Sequence, residues 1–326
     1  MLDQKKMLEY TAPIEADLEQ FNRKLSDHLQ GDSPLITSIA RHLLKSKGKR
    51  MRPAFLFLSS RAADNFTEHS VDASLAIELI HTATLLHDDV VDESDMRRGQ
   101  ETVNSQWTNL ISVLIGDYLF AKAFRIMVGT GLVRLMRAIS RATERVSVGE
   151  LRQIEETGNY DLSEEEYTSI IADKTASLFS VACEAGPILG KRDARERKRF
   201  ALFGEKIGIA FQIVDDLLDY VGDAEVTGKE VGNDVLTGMV TLPLIYSLGK
   251  AGGPSRKEIV GHLSANRANS FEKVYEFVQD NGGIDYAYNR ANELTEQGLD
   301  SISNVGDSTY FQCLKNMVTF TTARAS

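Results

Sequence analysis

The sequence is poor in the residues that staple, kink or anchor a chain. Only Cys183 and Cys313 occur in 326 residues, too few for a disulfide framework and without the spacing of a zinc site, so a reducing, cytoplasmic setting is expected. There are six prolines, Pro13, Pro34, Pro53, Pro187, Pro243 and Pro254. Each is expected at an element boundary, where a missing N–H does least harm, with Pro53 at a first helical position. No run of about 18 apolar residues is present, which argues against a membrane-crossing helix and against stable membrane insertion. Met1 to Tyr10 carries acids and lacks the apolar centre of a signal peptide. Positive charge is also short: 37 Lys+Arg stand against 47 Asp+Glu, a formal net charge of -10. That balance argues against nucleic acid as a partner, though not against an anionic substrate, because bound metal ions can invert the local field.

What the chain has is helical periodicity. Hydrophobic residues make up 42% and recur at three- and four-residue steps, while alternating strand-like runs are almost absent. The pattern predicts long helices over Val71–Val91, Leu110–Met127 and Leu132–Glu156. Gly116, Ala121 and Ala123 in the second of these allow close packing. Ser163 with Glu166 three residues later is a capping box opening a helix to about Gly186-Pro187. Another helix starts at Asp193 and continues to about Val221. No linker or low-complexity tract intervenes, so residues 1–326 read as one all-α domain of ten or more helices.

Two acidic clusters stand out against this background. Asp88-Asp89-Val90-Val91-Asp92 follows Leu79, Ile80, Ala83, Leu85 and Leu86, and on a helix Asp88 and Asp92 share one face. Asp215-Asp216-Leu217-Leu218-Asp219 repeats the same spacing inside an equally apolar stretch. One such cluster is ordinarily a solvated helix end. Two, each backed by a hydrophobic helix, look like two halves of a site for hard divalent cations.

Cations lie nearby. Gly48-Lys49-Arg50-Met51-Arg52-Pro53 sits where one helix stops and the next begins, so free N–H groups, Lys49 and Arg52 suit a phosphate-like anion. Arg97-Arg98-Gly99 follows the first acids and offers paired guanidinium forks. Lys174-Thr175 is set in an apolar helix, where an unpaired Lys is costly. Gln212 shares a face with Asp215, and Lys229 in a Gly-rich loop can swing over whatever the acids hold. His81 lies two turns before Asp88, and His87 adjoins it. For His81 a core histidine bonded to a backbone carbonyl is the commoner explanation, and for His87 a functional role is the less favoured reading.

In this order the motifs resemble the trans-polyprenyl diphosphate synthases from about Gly48 to Leu248. The context His81 to Gly99 is similar to the long-chain, octaprenyl type. The resemblance implies a bundle of mostly antiparallel helices around a deep central cavity, a homodimer, and head-to-tail condensation of isopentenyl diphosphate with an allylic diphosphate, farnesyl diphosphate being the expected primer. It implies three Mg2+ ions, held by Asp88 and Asp92 and by Asp215 with Asp219. Arg97, Lys174 and Lys229 would bind the allylic diphosphate, and Lys49, Arg52, His81 and Arg98 the isopentenyl diphosphate. The Lys174-Thr175 carbonyls and the Gln212 side-chain oxygen would face the allylic cation. Small Ala83 and Thr84 would let the growing tail pass, and Met127 and Ile139 would form the floor. Lys47 stands where the family often has a second glycine. A separate small subunit, as some members need, stays open.

Three other readings compete. A class I terpene cyclase shares the acids but needs no second diphosphate site, leaving Lys49, Arg52 and Arg98 without work. An HD-type metal phosphohydrolase would need more histidine ligands. An idle partner subunit would not need every motif intact. A shorter-chain geranylgeranyl synthase remains the alternative within the family.

Overall fold

Two helices without a continuous polar face set the architecture. Met51–Ala62 buries Pro53 through Ser60 without a break, and Glu68–Val91 buries Ser70, Val71 and most positions from Ala73 to Leu86. Such all-round apolar helices can be satisfied only when covered on several sides. The computed structural model describes residues 2–31, 33–45, 48–97, 99–221, 231–265, 267 and 270–322.

In chain order the elements are α1 (Leu2–Thr11), α2 (Glu15–Leu29), α3 (Pro34–Lys45), α4 (Met51–Ala62), α5 (Glu68–Val91), β1 (Met96–Arg97), β2 (Gln100–Glu101), α6 (Val103–Gln106), α7 (Asn109–Gly129), α8 (Val133–Glu155), α9 (Glu164–Ile171), a π-helical turn (Ala172–Ala176) and α10 (Ser177–Leu189). There follow α11 (Ala194–Val221), α12 (Asn233–Thr237), α13 (Leu242–Lys250), α14 (Gly253–Ala265), α15 (Phe271–Asp280), α16 (Gly283–Ser301) and α17 (Thr309–Thr322). The all-α expectation holds. Among the described residues no helix is long and apolar enough to cross a membrane.

The chain divides into two compact units. The first comprises residues 1–143, 178–204 and 302–316. Its core is aromatic: the Phe55 ring meets Phe179 and Phe203 at 5.8 and 6.2 Å, and Phe21 meets Phe57 edge-on at 6.4 Å. Charges buried in this unit are paired, Asp17 with Arg61 through two hydrogen bonds and Glu78 with Arg50 at 2.7 Å. The second unit comprises residues 144–177, 205–301 and 317–326, around Ile170, Ile213, Val214, Leu217, Val274 and Ala287.

The sequence boundaries need four corrections. Helix α4 begins at Met51, so Pro53 is its third residue, still in the first turn where no intrahelical partner is lost. Pro187 lies inside α10, two residues before its end at Leu189, where its missing N–H withholds the i−4 bond from the Cys183 carbonyl. The helix opened by Ser163 is interrupted by the π turn at Ala172–Ala176. A two-stranded antiparallel ribbon, pairing Met96 with Glu101 and Arg97 with Gln100, was not signalled by two-residue strands too short to show a period. Helix α11 fits its expected span, with the Asp193 carboxylate accepting the Glu196 N–H at 2.8 Å.

Helices α5 and α7 approach closely at Gly116, where a Cβ would collide with the His87 ring. His87 Nε2 donates to the Val113 carbonyl at 3.2 Å, since a carbonyl can only accept. His87 is half-buried, and its ring thus has a backbone partner on α7. Gly116→Ala is expected to destabilise the protein by about 1–3 kcal/mol through overpacking. Urea unfolding of the double variant Gly116→Ala/His87→Ala should recover at least part of that loss, and no recovery would place the clash elsewhere.

Candidate active site

The first acid cluster sits at the C-terminal end of α5. The helix ends at Val91, and Asp92 caps it, its N–H reaching the Asp88 carbonyl at 2.8 Å. Asp88 is half-buried and Asp92 exposed. The final turn carries no basic residue, although a helix C-terminus favours cations and repels carboxylates. Asp89 behaves differently. It is 3% exposed and accepts the Arg97 Nε at 2.6 Å. The ribbon makes this contact possible: Gly99, at φ 72, lets the chain turn back after β1. Thr102 and Asn104 side chains then both donate to the Ser94 carbonyl, at 2.8 and 3.0 Å, pinning the loop.

A cavity of about 90 Å3 lies beside this cluster, and Arg50, Glu78, His81, Asp89 and Arg97 are among its lining residues. His81 and Arg97 are therefore brought together. Arg50 enters as the α4 N-cap at φ 49, a left-handed conformation uncommon for a side-chain-bearing residue, stabilised by the ion pair to buried Glu78. On either side of this anchor, Lys49 is exposed, while the Arg52 guanidinium lies 4.7 Å from the centre of the Phe179 ring. Arg98 and Lys47 lie outside the described residues. Among the chain-length candidates, Ala83, Met127 and Ile139 are buried, at 0, 2 and 0% exposure. Thr84 is half-buried and donates to the His81 carbonyl at 2.8 Å.

The second unit holds the other motifs. Ser163 and Glu166 form both bonds of the expected capping box, at 3.2 and 3.0 Å, and α9 delivers the chain into the π turn carrying Lys174 and Thr175. A π turn inserts one residue and displaces carbonyls from the regular ladder, a feature common at functional positions. It is clamped from α8: Arg145 donates to the Asp173 carboxylate at 2.7 Å, to Glu205 at 3.2 Å and to the Ala172 carbonyl at 3.3 Å. Lys174 is paired, its Nζ lying 2.9 Å from Glu150. Gly149 is required there because a Cβ would strike the Lys174 backbone nitrogen.

Around Asp215 the pattern of the first cluster recurs. The acids again occupy a helix C-terminal region with no basic residue in the last turn. Asp215 is exposed, whereas Asp216 is 7% exposed and accepts from Tyr167 Oη and Gln212 Nε2, at 2.6 and 2.7 Å. Burial pushes the Asp216 carboxyl up to about 7; Asp215 adds to the rise, and the Tyr167 and Gln212 hydrogen bonds oppose it. Burial together with Asp216 raises Tyr167 well above the ordinary tyrosine range, so its hydroxyl stays protonated and donates. Gln212 Oε1 accepts the Thr175 hydroxyl at 2.6 Å. Asp219 accepts the backbone N–H groups of Asn233 and Asp234 at 3.1 and 2.9 Å, capping α12. Lys229 lies outside the described residues.

Among the described residues no group of three or more His, Cys, Asp or Glu side chains forms a ready metal cage. The donor set instead fits a hard cation that takes one or two carboxylates and completes its shell with water or substrate oxygens, as Mg2+ does. Tyr167, Arg145 and Glu150 carried no motif and were missed by sequence reasoning. The only available signal was indirect: a Lys in an apolar helix demands an acid somewhere.

A family model described as Polyprenyl synthetase matches residues 33–280. The chain is 37% identical over 308 residues to the all-trans-nonaprenyl-diphosphate synthase (geranyl-diphosphate specific) of Rhodobacter capsulatus, covering 94% of each. It is 35% identical over 300 residues to the octaprenyl diphosphate synthase of Escherichia coli, covering 91% of this chain and 93% of that protein. A crystal structure of a decaprenyl diphosphate synthase from Rhodobacter capsulatus superposes with a TM-score of 0.92 at 31% identity, covering 98% of this chain and 99% of that one.

Asp219→Ala removes both acceptors from the start of α12 and is expected to cost about 0.5–2 kcal/mol. Hydrogen exchange at the Asn233 and Asp234 amides measures it. Unchanged protection there would mean that the cap is not formed in solution.

Proposed function

The chain belongs to the polyprenyl synthetase family, and from that premise we propose that it condenses isopentenyl diphosphate head-to-tail with an allylic diphosphate, farnesyl diphosphate as primer, to build a long-chain all-trans-polyprenyl diphosphate of octaprenyl size. The observation that carries the proposal is the repeated acid cluster, each copy at the C-terminal end of a buried helix with no compensating base in its last turn. Full-length relatives that make nonaprenyl and octaprenyl diphosphates support the long-chain assignment. The family match runs through segments of both compact units, which supports one catalytic domain over 1–326.

Asp88, Asp92 and Asp215 would hold Mg2+, three ions in all, with Asp219 contributing through lone pairs not used in its cap. Magnesium, when bound, neutralises the diphosphate and stabilises the charge that gathers on the leaving group. Arg97, Lys174 and Lys229 add donors to the allylic diphosphate, Arg97 being held at its Nε by Asp89 so that the guanidinium plane is set in advance. Lys49, Arg52, His81 and Arg98 bind the isopentenyl diphosphate. As the allylic C–O bond breaks, the carbonyls of the π turn and Gln212 Oε1 present partial negative charge to the cation. Departing pyrophosphate takes the proton after condensation, so no protein base is required. Buried Ala83 and half-buried Thr84 leave room for the tail, and Met127 and Ile139 close its path.

A second copy of the chain is the partner we infer. On α7, positions 110, 114, 117, 121, 124 and 128 are all exposed and recur at four- and three-residue steps. Leu110, Leu114, Phe124 and Val128 among them are 68, 56, 42 and 61% exposed. That is the seam of a helix packed against another helix, and a two-fold axis lets one such face cover its copy. Two unpaired buried cysteines support a cytoplasmic setting.

Incubating the purified chain with radiolabelled isopentenyl diphosphate, farnesyl diphosphate and Mg2+ should yield a ladder ending near the octaprenyl length. A cyclised hydrocarbon or no elongation would refute the assignment, and elongation by the chain alone dispenses with an accessory subunit. Asp88→Ala and Asp215→Ala should each lower kcat by about 10²–10³-fold. Ala83→Phe, or Thr84→Phe at the less enclosed neighbour, should shorten the product to farnesyl or geranylgeranyl size on chromatography. An unchanged ladder from both folded variants removes this helix from length control. Phe124→Glu should convert a particle of twice the chain mass to one of 36.1 kDa by light scattering, and an unchanged mass would move the interface off α7.

A further inference from the structure

Four side chains of the second unit form one continuous hydrogen-bonded chain. Thr175 Oγ1 donates to Gln212 Oε1, Gln212 Nε2 donates to Asp216 Oδ1, and the Tyr167 hydroxyl donates to Asp216 Oδ2, at 2.6, 2.7 and 2.6 Å. Tyr167, Thr175 and Asp216 are 4, 7 and 7% exposed, so little water competes for these bonds. A glutamine amide is ambivalent by itself. Turned through half a revolution it exchanges an acceptor for two donors with no change in shape. Thr175 cannot settle the matter, because a hydroxyl both donates and accepts. An ionised carboxylate can, since it only accepts, and with the Tyr167 hydroxyl donating to its Oδ2 the ionised Asp216 requires the NH2 of Gln212 to face its Oδ1. The carbonyl oxygen is then forced to the Thr175 side. Asp216 in turn is kept from rotating by the Tyr167 hydroxyl on its other oxygen.

We propose that Tyr167 and Asp216 are positioning residues which hold the Gln212 amide so that its carbonyl oxygen, and not its NH2, is presented to the allylic cation. This rests on the prenyl-transfer reading in which Gln212 faces that cation. The amide oxygen has two lone-pair directions, and Thr175 occupies one. The other is left for the reacting carbon. A reversed amide would aim two N–H groups at developing positive charge and raise the barrier that the intact arrangement lowers. Because the orientation is set before substrate arrives, no reorganisation is needed during ionisation.

Tyr167→Phe removes the hydroxyl and leaves the buried ring. Its kcat for elongation should fall about 3- to 10-fold, with KM for both diphosphates and the Mg2+ activation midpoint within about two-fold of the parent. The same substitution made in a Gln212→Ala background should have no further effect on kcat, because the group being oriented is gone. An equal loss in both backgrounds, or a wild-type kcat for Tyr167→Phe, overturns the proposal. Should Tyr167→Phe lose its circular dichroism signal, Asp216→Asn takes its place, its amide able to bond either face of Gln212. Its loss must shrink in the Gln212→Ala background at unchanged Mg2+ midpoint, and an undiminished loss overturns the proposal. The parent enzyme separates the two layers of inference: an inactive parent removes the prenyl-transfer reading and this proposal with it, while an active parent with a silent Tyr167→Phe removes this proposal alone.

Discussion

Carboxylates at the C-terminal end of a helix are opposed twice, by the partial negative charge of the unpaired carbonyls and by one another. Each opposition is small, about 0.3–1 kcal/mol for a charge against the helix end and about 0.2–0.5 kcal/mol for a like pair one turn apart. Yet α5 and α11 both accept it, and neither places a basic residue in its last turn. Apolar burial decides the balance. Leu75, Ile77, Leu79 and Ile80 on α5, and Phe203, Ile207, Ile213 and Leu217 on α11, are 0–1% exposed, and each such side chain contributes about 1.5–3 kcal/mol. The helices are held by their greasy lengths, which outweigh the small cost of placing acids near their ends.

Within each cluster the acids divide their labour in the same way. The outer ones, Asp88 and Asp92 or Asp215, reach toward solvent, while the second acid of each pair is turned inward. Asp89 takes the Arg97 Nε, and Asp216 takes the Gln212 amide and the Tyr167 hydroxyl. Inward acids so placed are anchors for other polar groups. Motifs of repeated aspartates thus contain two functions at one-residue spacing, because adjacent residues on a helix point about 100° apart.

Much of the fold could be read from residue order. The spans of α5, α7, α8 and α11 and the Ser163 cap followed from apolar period and cap chemistry, which are local properties. The acid motifs were legible because burial of like charges without a cation is so costly that repetition itself carries information. What the sequence withheld depends on tertiary partners. The pairing of Lys174 with Glu150, the Arg145 clamp and the role of Tyr167 involve residues whose types are ordinary at their positions. Asp219 shows the same limit, since its motif position implied a ligand but gave no sign of the two backbone N–H groups that its carboxylate also accepts. Arg50 lay unremarked between two named cations, and it is the one that forms the buried ion pair.

The π turn at Ala172–Ala176 has a consequence for how this segment can vary. In a regular helix one residue more or less rotates everything beyond it by about 100°, and the wider turn takes up an extra residue within a single repeat. It sets Lys174 and Thr175 against Glu150 and Gln212. Point substitutions on either side leave that setting alone. A single-residue deletion within the turn would convert it to an ordinary helical repeat and carry those contacts out of register, so the segment tolerates changes of identity far better than changes of count.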